Sequence, residues 1–187
     1  LQNANLTGCT NEGKITISTG VSTNHYVGGI AGIRRSTYDT SITDCVNGTK
    51  GVTSSLFEFT TTSGDVKFGG ILGHCHKSSG ALNITGCTNH SPITLSNGCA
   101  VPQVGGIAGA VVESVILTVD NCHNTGNMNF SSVTTTGEKG LGGLIGFLRY
   151  NVTDATAVHT VMNSSNSGNI TTSASSGGET RMAGIIG

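Results

Sequence analysis

Val27-Gly28-Gly29-Ile30-Ala31-Gly32 is the first of five related blocks. It returns as Phe68-Gly69-Gly70-Ile71-Leu72-Gly73, Val104-Gly105-Gly106-Ile107-Ala108-Gly109 and Leu141-Gly142-Gly143-Leu144-Ile145-Gly146, and degenerately as Met182-Ala183-Gly184-Ile185-Ile186-Gly187. A second landmark, Cys-x-Asn, alternates with it: Cys9 with Asn11, Cys45 with Asn47, Cys87 with Asn89, Cys122 with Asn124, and Ser164 with Asn166. From each Asn to the next block's first glycine position the steps are 17, 22, 16, 18 and 17 residues. From there to the next Cys or Ser they are 17, 18, 17 and 22. Two half-repeats of near-constant length therefore alternate. The two long steps mark insertions near Lys50 to Ser55 and Tyr150 to Thr156, which a stacked scaffold tolerates as loops.

Between landmarks the pattern is short alternation. Ile15-Thr16-Ile17-Ser18, Ile93-Thr94-Leu95-Ser96, Met128-Asn129-Phe130-Ser131 and Ile170-Thr171-Thr172-Ser173 share one register, with apolar residues at one parity. A second strand precedes the cysteine, as in Leu82-Asn83-Ile84-Thr85, and a third runs through each glycine block. Such triplets bury their apolar side only by stacking at about 4.8 Å per coil. The expected fold is all-β: a parallel β-solenoid of about five rungs with three short strands each, right-handed by the usual chirality of parallel crossovers. One array covers residues 1–187, with landmarks near 9–32, 45–73, 87–109, 122–146 and 164–187. Leu1 and Gly187 fall inside repeats, so a fragment of a longer solenoid is expected. Gly28, Gly29, Gly69, Gly70, Gly105, Gly106, Gly142, Gly143 and Gly184 should permit close backbone approach or positive φ. Asn11, Asn47, Asn89, Asn124 and Asn166 should stack as a corner ladder, where Asn also tolerates a left-handed turn.

Composition supports a folded, turn-rich chain: 29 glycines, 2 prolines, no tryptophan, and 10% charged residues. A net charge of -1, with no basic run longer than Arg34-Arg35, disfavours nucleic acid as a partner. No apolar stretch reaches the roughly 18 residues that would suggest a membrane-spanning helix, so no membrane insertion of this segment is expected.

The glycine block, alternating with a Cys-x-Asn-x-Gly turn such as Cys9-Thr10-Asn11-Glu12-Gly13 or Cys122-His123-Asn124-Thr125-Gly126, resembles the GLUG-motif repeats of large surface proteins. The resemblance covers almost the whole chain and departs from the pattern at Ser164 and Ala183. It implies a β-helical stalk or binding surface like those of bacterial adhesin-like proteins, and it supplies no catalytic residue.

Side chains that could carry chemistry are few. Cys9, Cys45, Cys87 and Cys122 read as a ladder of buried thiols. Equivalent β-carbons on adjacent rungs stand near 4.8 Å apart, where a relaxed disulfide prefers about 3.8 Å. Cys75 and Cys99 lie outside that ladder and are the better candidates for a bond. His74 and His76 would share one side of a strand, which gives two metal ligands where a site needs more. A β-helical polysaccharide enzyme needs converging carboxylates, and Asp44 and Asp120 come closest, at roughly 10 Å. Sequons occur at Asn5, Asn47, Asn83, Asn89, Asn129, Asn151, Asn163 and Asn169 and would be open to glycosylation in a eukaryotic secretory host. Thr60-Thr61-Thr62 and Thr134-Thr135-Thr136 suggest an ice-binding face but show no regular ladder.

The function expected is a structural or adhesive extracellular segment, non-enzymatic and without cofactor. It would act as a stalk or binding surface of a larger cell-surface or filament-forming protein. Its partners would be further repeats or copies end to end, and a host, matrix or glycan ligand met at the inserted loops and variable outward positions. The alternative is a β-helical domain that binds or degrades polysaccharide.

Overall fold

The computed structural model describes residues 1–17, 24–59, 64–76, 80–95, 101–112, 115–131, 137–149, 158–172 and 179–187. Among these there is no helix, and every strand pairing is parallel to the equivalent strand of the coil before or after. The expected parallel β-solenoid is the fold. Each turn is cut more finely than three strands, because five faces run along the stack.

The face before the cysteine is built from Leu6–Thr7, Thr40–Thr43, Ala81–Thr85, Ile116–Asp120 and Thr160–Met162, in that order. The asparagine face follows with Thr10–Asn11, Val46–Asn47, Thr88–Asn89, His123–Asn124 and Ser165–Asn166. These two-residue strands pair in register, Asn on Asn, so the turn itself is a ladder. The face after the asparagine comes in two pieces: Ile15–Ile17 with Phe57–Phe59, and Ile93–Thr94 with Met128–Phe130 and Ile170–Thr172. The break falls beside the first insertion, where side chains replace the missing backbone ladder. Ser55 Oγ donates to the Pro92 carbonyl at 2.8 Å, and Leu56 N donates to Ser91 Oγ at 3.0 Å. The second expected insertion, residues 150–156, lies outside the described residues.

Each of the first four glycine blocks makes two strands where one was expected, and the fifth makes one strand and an isolated bridge at Ile186. The inbound face holds His25–Gly28, Asp65–Gly69, Val101–Gly105, Lys139–Gly142 and Thr180–Ala183. The outbound face holds Ala31–Arg34, Leu72–Cys75, Ala108–Val112 and Ile145–Arg149. Between them the chain folds sharply at the Gly-Gly pair. None of the block glycines has positive φ, so of the two roles expected for them only close approach applies. A β-carbon on Gly106 would collide with Cγ of Asn124 and with the carbonyl oxygen of Gly143. The third glycine serves the same end across the fold: a β-carbon on Gly73 would stand 2.5 Å from the Val27 nitrogen.

This close approach divides the interior. One apolar cluster, including Ile42, Ile71, Leu82, Ile84, Ile107 and Val119, lies between the pre-cysteine and outbound faces. The other, including Phe57, Phe68, Ile93, Val104, Phe130 and Leu141, lies between the post-asparagine and inbound faces. Phe68 is gripped there by edge-on contacts from Phe57 and Phe59, with ring centroids 4.4 and 5.3 Å away. The waist between the lobes is glycine backbone on one side and asparagine on the other.

Left-handed backbone occurs at a position the repeat search did not single out. The residue just before each landmark Cys or Ser has positive φ: Gly8 at 63°, Asp44 at 52°, Gly86 at 65°, Asn121 at 50° and Asn163 at 50°. The ladder asparagines are not in that conformation. Residue choice follows, since Gly, Asn and Asp tolerate this region best.

Replacing Gly106 with Val should lower unfolding free energy by about 3 kcal/mol or more, the range of severe overpacking. Thr94→Val on the outer surface should stay within about 0.5 kcal/mol of the parent. Urea denaturation midpoints of the two variants, with equal m-values, measure the contrast.

Candidate functional site

The ladder residues expected from sequence are brought together along the whole stack. Asn11 Nδ2 donates to Asn47 Oδ1 at 2.8 Å, Asn47 to Asn89 at 2.8 Å, Asn89 to Asn124 at 2.7 Å and Asn124 to Asn166 at 2.7 Å. The second amide hydrogen turns back within its own coil, from Asn89 to the Ser91 carbonyl and from Asn124 to the Gly126 carbonyl, both at 3.0 Å. Asn47, Asn89 and Asn124 are fully buried. The ladder runs along one turn of the coil, and its amides point inward, so that it lines the waist. There the block glycines leave room for it, and buried amides require every hydrogen bond to be made.

The cysteines form the parallel ladder expected. Cys9, Cys45, Cys87 and Cys122 carry free thiols, the last three fully buried. Each sulfur faces carbonyl oxygens of the turn, Cys45 that of Thr43 at 3.3 Å, and Cys122 those of Ile84 and Asp120 at 3.3 and 3.4 Å. Ser164 fits the fifth position because its Oγ donates to the Met162 carbonyl at 2.7 Å while accepting from Cys122 N at 3.0 Å. Burial pushes the Cys45 thiol up to about 11. Contact with the Cys122 sulfur, and then burial, push Cys87 up as well. Cys45 and Cys87 are packing groups that keep their protons.

The Gly-Gly fold also shapes the outside. Because the outbound strand turns back against the inbound one, their outer faces meet as the walls of a groove running along the stack. Tyr26, Lys67 and Gln103 occupy one register on the inbound wall. Ile33, His74, Ala110 and Phe147 occupy one register on the outbound wall. His74 lies stacked between Tyr26 and His76, with centroids 4.8 and 5.1 Å away, and its Nδ1 donates to the Ala110 carbonyl at 3.3 Å. It is buried, and desolvation, helped by the neighbouring His76, lowers its pKa from 6.5 to about 4. A cavity of about 390 Å³ opens along the groove, lined among others by Lys67, His74, Gln103, Phe147 and Arg149. Lys67 Nζ donates to Asp65 Oδ2 at 2.9 Å, and Gln103 Oε1 is buried with no hydrogen-bond partner among the described residues. Sequence reading missed this groove. Its inbound residues were visible only as the polar parity preceding each block's first apolar residue.

Cys75 is buried, with Arg34 Nη1 3.6 Å from its sulfur, and Cys99 lies outside the described residues. Arg34 is itself fully buried and ties down the turn after the outbound strand, donating to Thr40 Oγ1 at 2.9 Å and to the Tyr38 carbonyl at 2.8 Å. Asp44 is exposed in its left-handed turn. Asp120, two coils on, has its Oδ1 taken up by Asn163 Nδ2 at 2.9 Å. Among the described residues no group of three or more His, Cys, Asp or Glu is arranged to hold a metal ion. The sequons Asn47 and Asn89 are corrected by the ladder, because a fully buried amide nitrogen cannot carry a glycan in the fold: Asn47 Nδ2 donates to Asn89, and Asn89 Nδ2 donates to Asn124 and to the Ser91 carbonyl. Asn5, Asn83, Asn129, Asn163 and Asn169 reach the outside at least partly. Asn151 and the two threonine triplets lie outside the described residues.

Comparison with family models, with curated proteins and with solved structures returns no match.

In the folded chain Cys45, Cys87 and Cys122 should resist a thiol-exchange reagent at pH 8 and react together once denaturant is added. Mass-spectrometric labelling by residue reads this, and fast native labelling of Cys87 would contradict the packing assignment. The His74 imidazole makes a second expectation. Between pH 6.5 and about 4 the unfolded chain takes up a proton that the folded chain refuses. Stability is therefore undiminished above pH 6.5 and falls as pH drops through that window, by about 3 kcal/mol in all. Denaturation midpoints across this range should fall less steeply in His74→Gln.

Proposed function

We propose that this chain is a segment of a rigid rod, structural or adhesive, belonging to a longer protein displayed outside the cell or on its surface. It performs no chemistry of its own in this reading. The resemblance of its glycine blocks and Cys-x-Asn-x-Gly turns to GLUG-motif repeats points the same way. The observation that supports it best is the asparagine ladder, which passes from Asn11 to Asn166 without a missing bond. A repeat array held by nearest-neighbour contacts is quasi-one-dimensional, so its natural use is length and a surface that extends with length.

The ladder has a direction, each side-chain amide donating to the carbonyl of the following coil. A coil placed beyond Asn166 would accept its remaining N–H, and one placed before Asn11 would donate to its carbonyl. Further repeats of the same protein, or copies of it end to end, are therefore the first partners proposed, with host, matrix or glycan ligands along the sides.

Negative-stain electron microscopy of the longer protein should show rods that lengthen by about 4.8 Å for each coil added. The same preparation should bind a matrix or cell surface saturably without releasing reducing ends from polysaccharide. Compact particles of constant length would overturn the rod, and steady release of reducing ends would move the assignment to a polysaccharide-degrading enzyme.

A further inference from the structure

We infer that the outer groove at the glycine fold is a binding site for a neutral, hydroxyl-rich ligand, one or two sugar rings of a glycan. This deepens the adhesive side of the proposed function and rests on it, moving ligand recognition from the inserted loops to the face created by the Gly-Gly turn.

The cavity has the size of a small-molecule site, about 390 Å³ against roughly 300–1,000 Å³ for such pockets in general. The parallel register supplies its shape. On the outbound wall the large rings of His74 and Phe147 flank the small Ala110, so the wall steps back between two rings. Phe147 is half-buried and shares the cavity lining with Gln103. A sugar carries an apolar C–H face beside its hydroxyls, and an aromatic ring at the edge of a polar cavity suits that combination.

Gln103 supplies the polar argument. Its Oε1 is shielded from solvent and meets no donor among the described residues, although burying an unpaired amide oxygen is costly. Gln103 lines the cavity, and a turn of its amide would present this oxygen to the groove, where a ligand hydroxyl would donate to it. The remaining polar lining offers both donors and acceptors, which matches a group that does both. Charge selects among hydroxyl-rich ligands. The lining carries Lys67 and Arg149 against Asp65 and Glu138, and these cancel. Lys67 is already paired with Asp65, and Glu138 lies 3.8 Å from Arg181. His74 adds no positive charge, since its burial keeps it neutral at physiological pH. A groove without net field does not concentrate polyanions, so an acidic polysaccharide is the weaker fit. An extended peptide would call for free backbone donors and acceptors on an exposed strand, and both walls spend theirs on the coils above and below.

The test is saturation-transfer NMR on the chain with lactose, maltose, cellobiose and mannobiose at millimolar concentration, beside a heparin-derived disaccharide and a neutral tripeptide. At least one neutral disaccharide should take up saturation. Gln103→Leu should weaken that binding by about tenfold, the effect of losing one or two hydrogen bonds, and Lys67→Met should weaken it in the same direction. Gln103→Leu removes an unpaired buried oxygen, so its denaturation midpoint should stay level or rise, which separates lost binding from lost fold. Saturation of the heparin fragment or the tripeptide alone, of no probe at all, or of a neutral sugar equally in parent and variants overturns the site. The rod is judged separately, by the particle shape of the longer protein. Intact rods with no sugar bound remove the groove proposal and leave the rod standing.

Discussion

Everything in this fold turns on amides buried opposite glycine. The asparagine side chain enters the coil where two apolar lobes would otherwise merge, and at Asn89 and Asn124 it survives there because its carbonyl and both its N–H groups are used. One bond runs to the coil behind, one to the coil ahead and one to its own turn. Unmade, those bonds would cost several kcal/mol per residue in so dry a place. Made in series, they lock the register of neighbouring coils, since a slip of one residue would break each amide contact along the stack at once. The glycine pair across from the ladder is its geometric complement. A side chain at Gly106 would occupy the volume that Asn124 fills.

From that constraint the rest of the cross-section follows. Pinching the coil at the Gly-Gly turn divides the interior into an aliphatic and thiol-lined lobe and a lobe dominated by Phe57, Phe68 and Phe130. It also folds the two strands of each glycine block back on each other, so that an outward surface, usually convex on a solenoid, becomes concave. The third glycine lets the backbones touch, as Gly73 does beside Val27. Structural economy in the core and a groove on the outside are thus two results of one bend. The cysteine ladder is subordinate to both. It fills the space behind a left-handed turn residue, and serine takes over at Ser164 because a hydroxyl there finds the same carbonyl.

Much of the architecture was legible because repetition reports which residues superpose along the axis. The in-register stacking of Asn11, Asn47, Asn89, Asn124 and Asn166, the alternating burial at Ile93, Met128 and Phe130, and the buried thiols all follow from a period and a parity. The groove was less legible. Lys67 and Gln103 looked like ordinary outward polar residues, and Phe147 and Arg149 carried no pattern across the repeats. The left-handed position was readable in principle, since Gly8, Asp44, Gly86, Asn121 and Asn163 are the residue types that accept positive φ. It escaped notice because the landmark was drawn from the cysteine onward.

The sequence by itself determined that this chain is a parallel stack of five coils and which side chains lie above one another, because hydrogen bonding between coils forces equivalent residues into line. Only the tertiary structure decided what meets across a coil: that the asparagines at their turn point inward to the waist, that the glycines are required by contact and not by φ, and that two outer faces close on a groove. Contacts along the axis are set by the repeat, whereas contacts across it depend on how sharply each turn bends. That bend is a property of the closed ring of five faces, which no single repeat spells out.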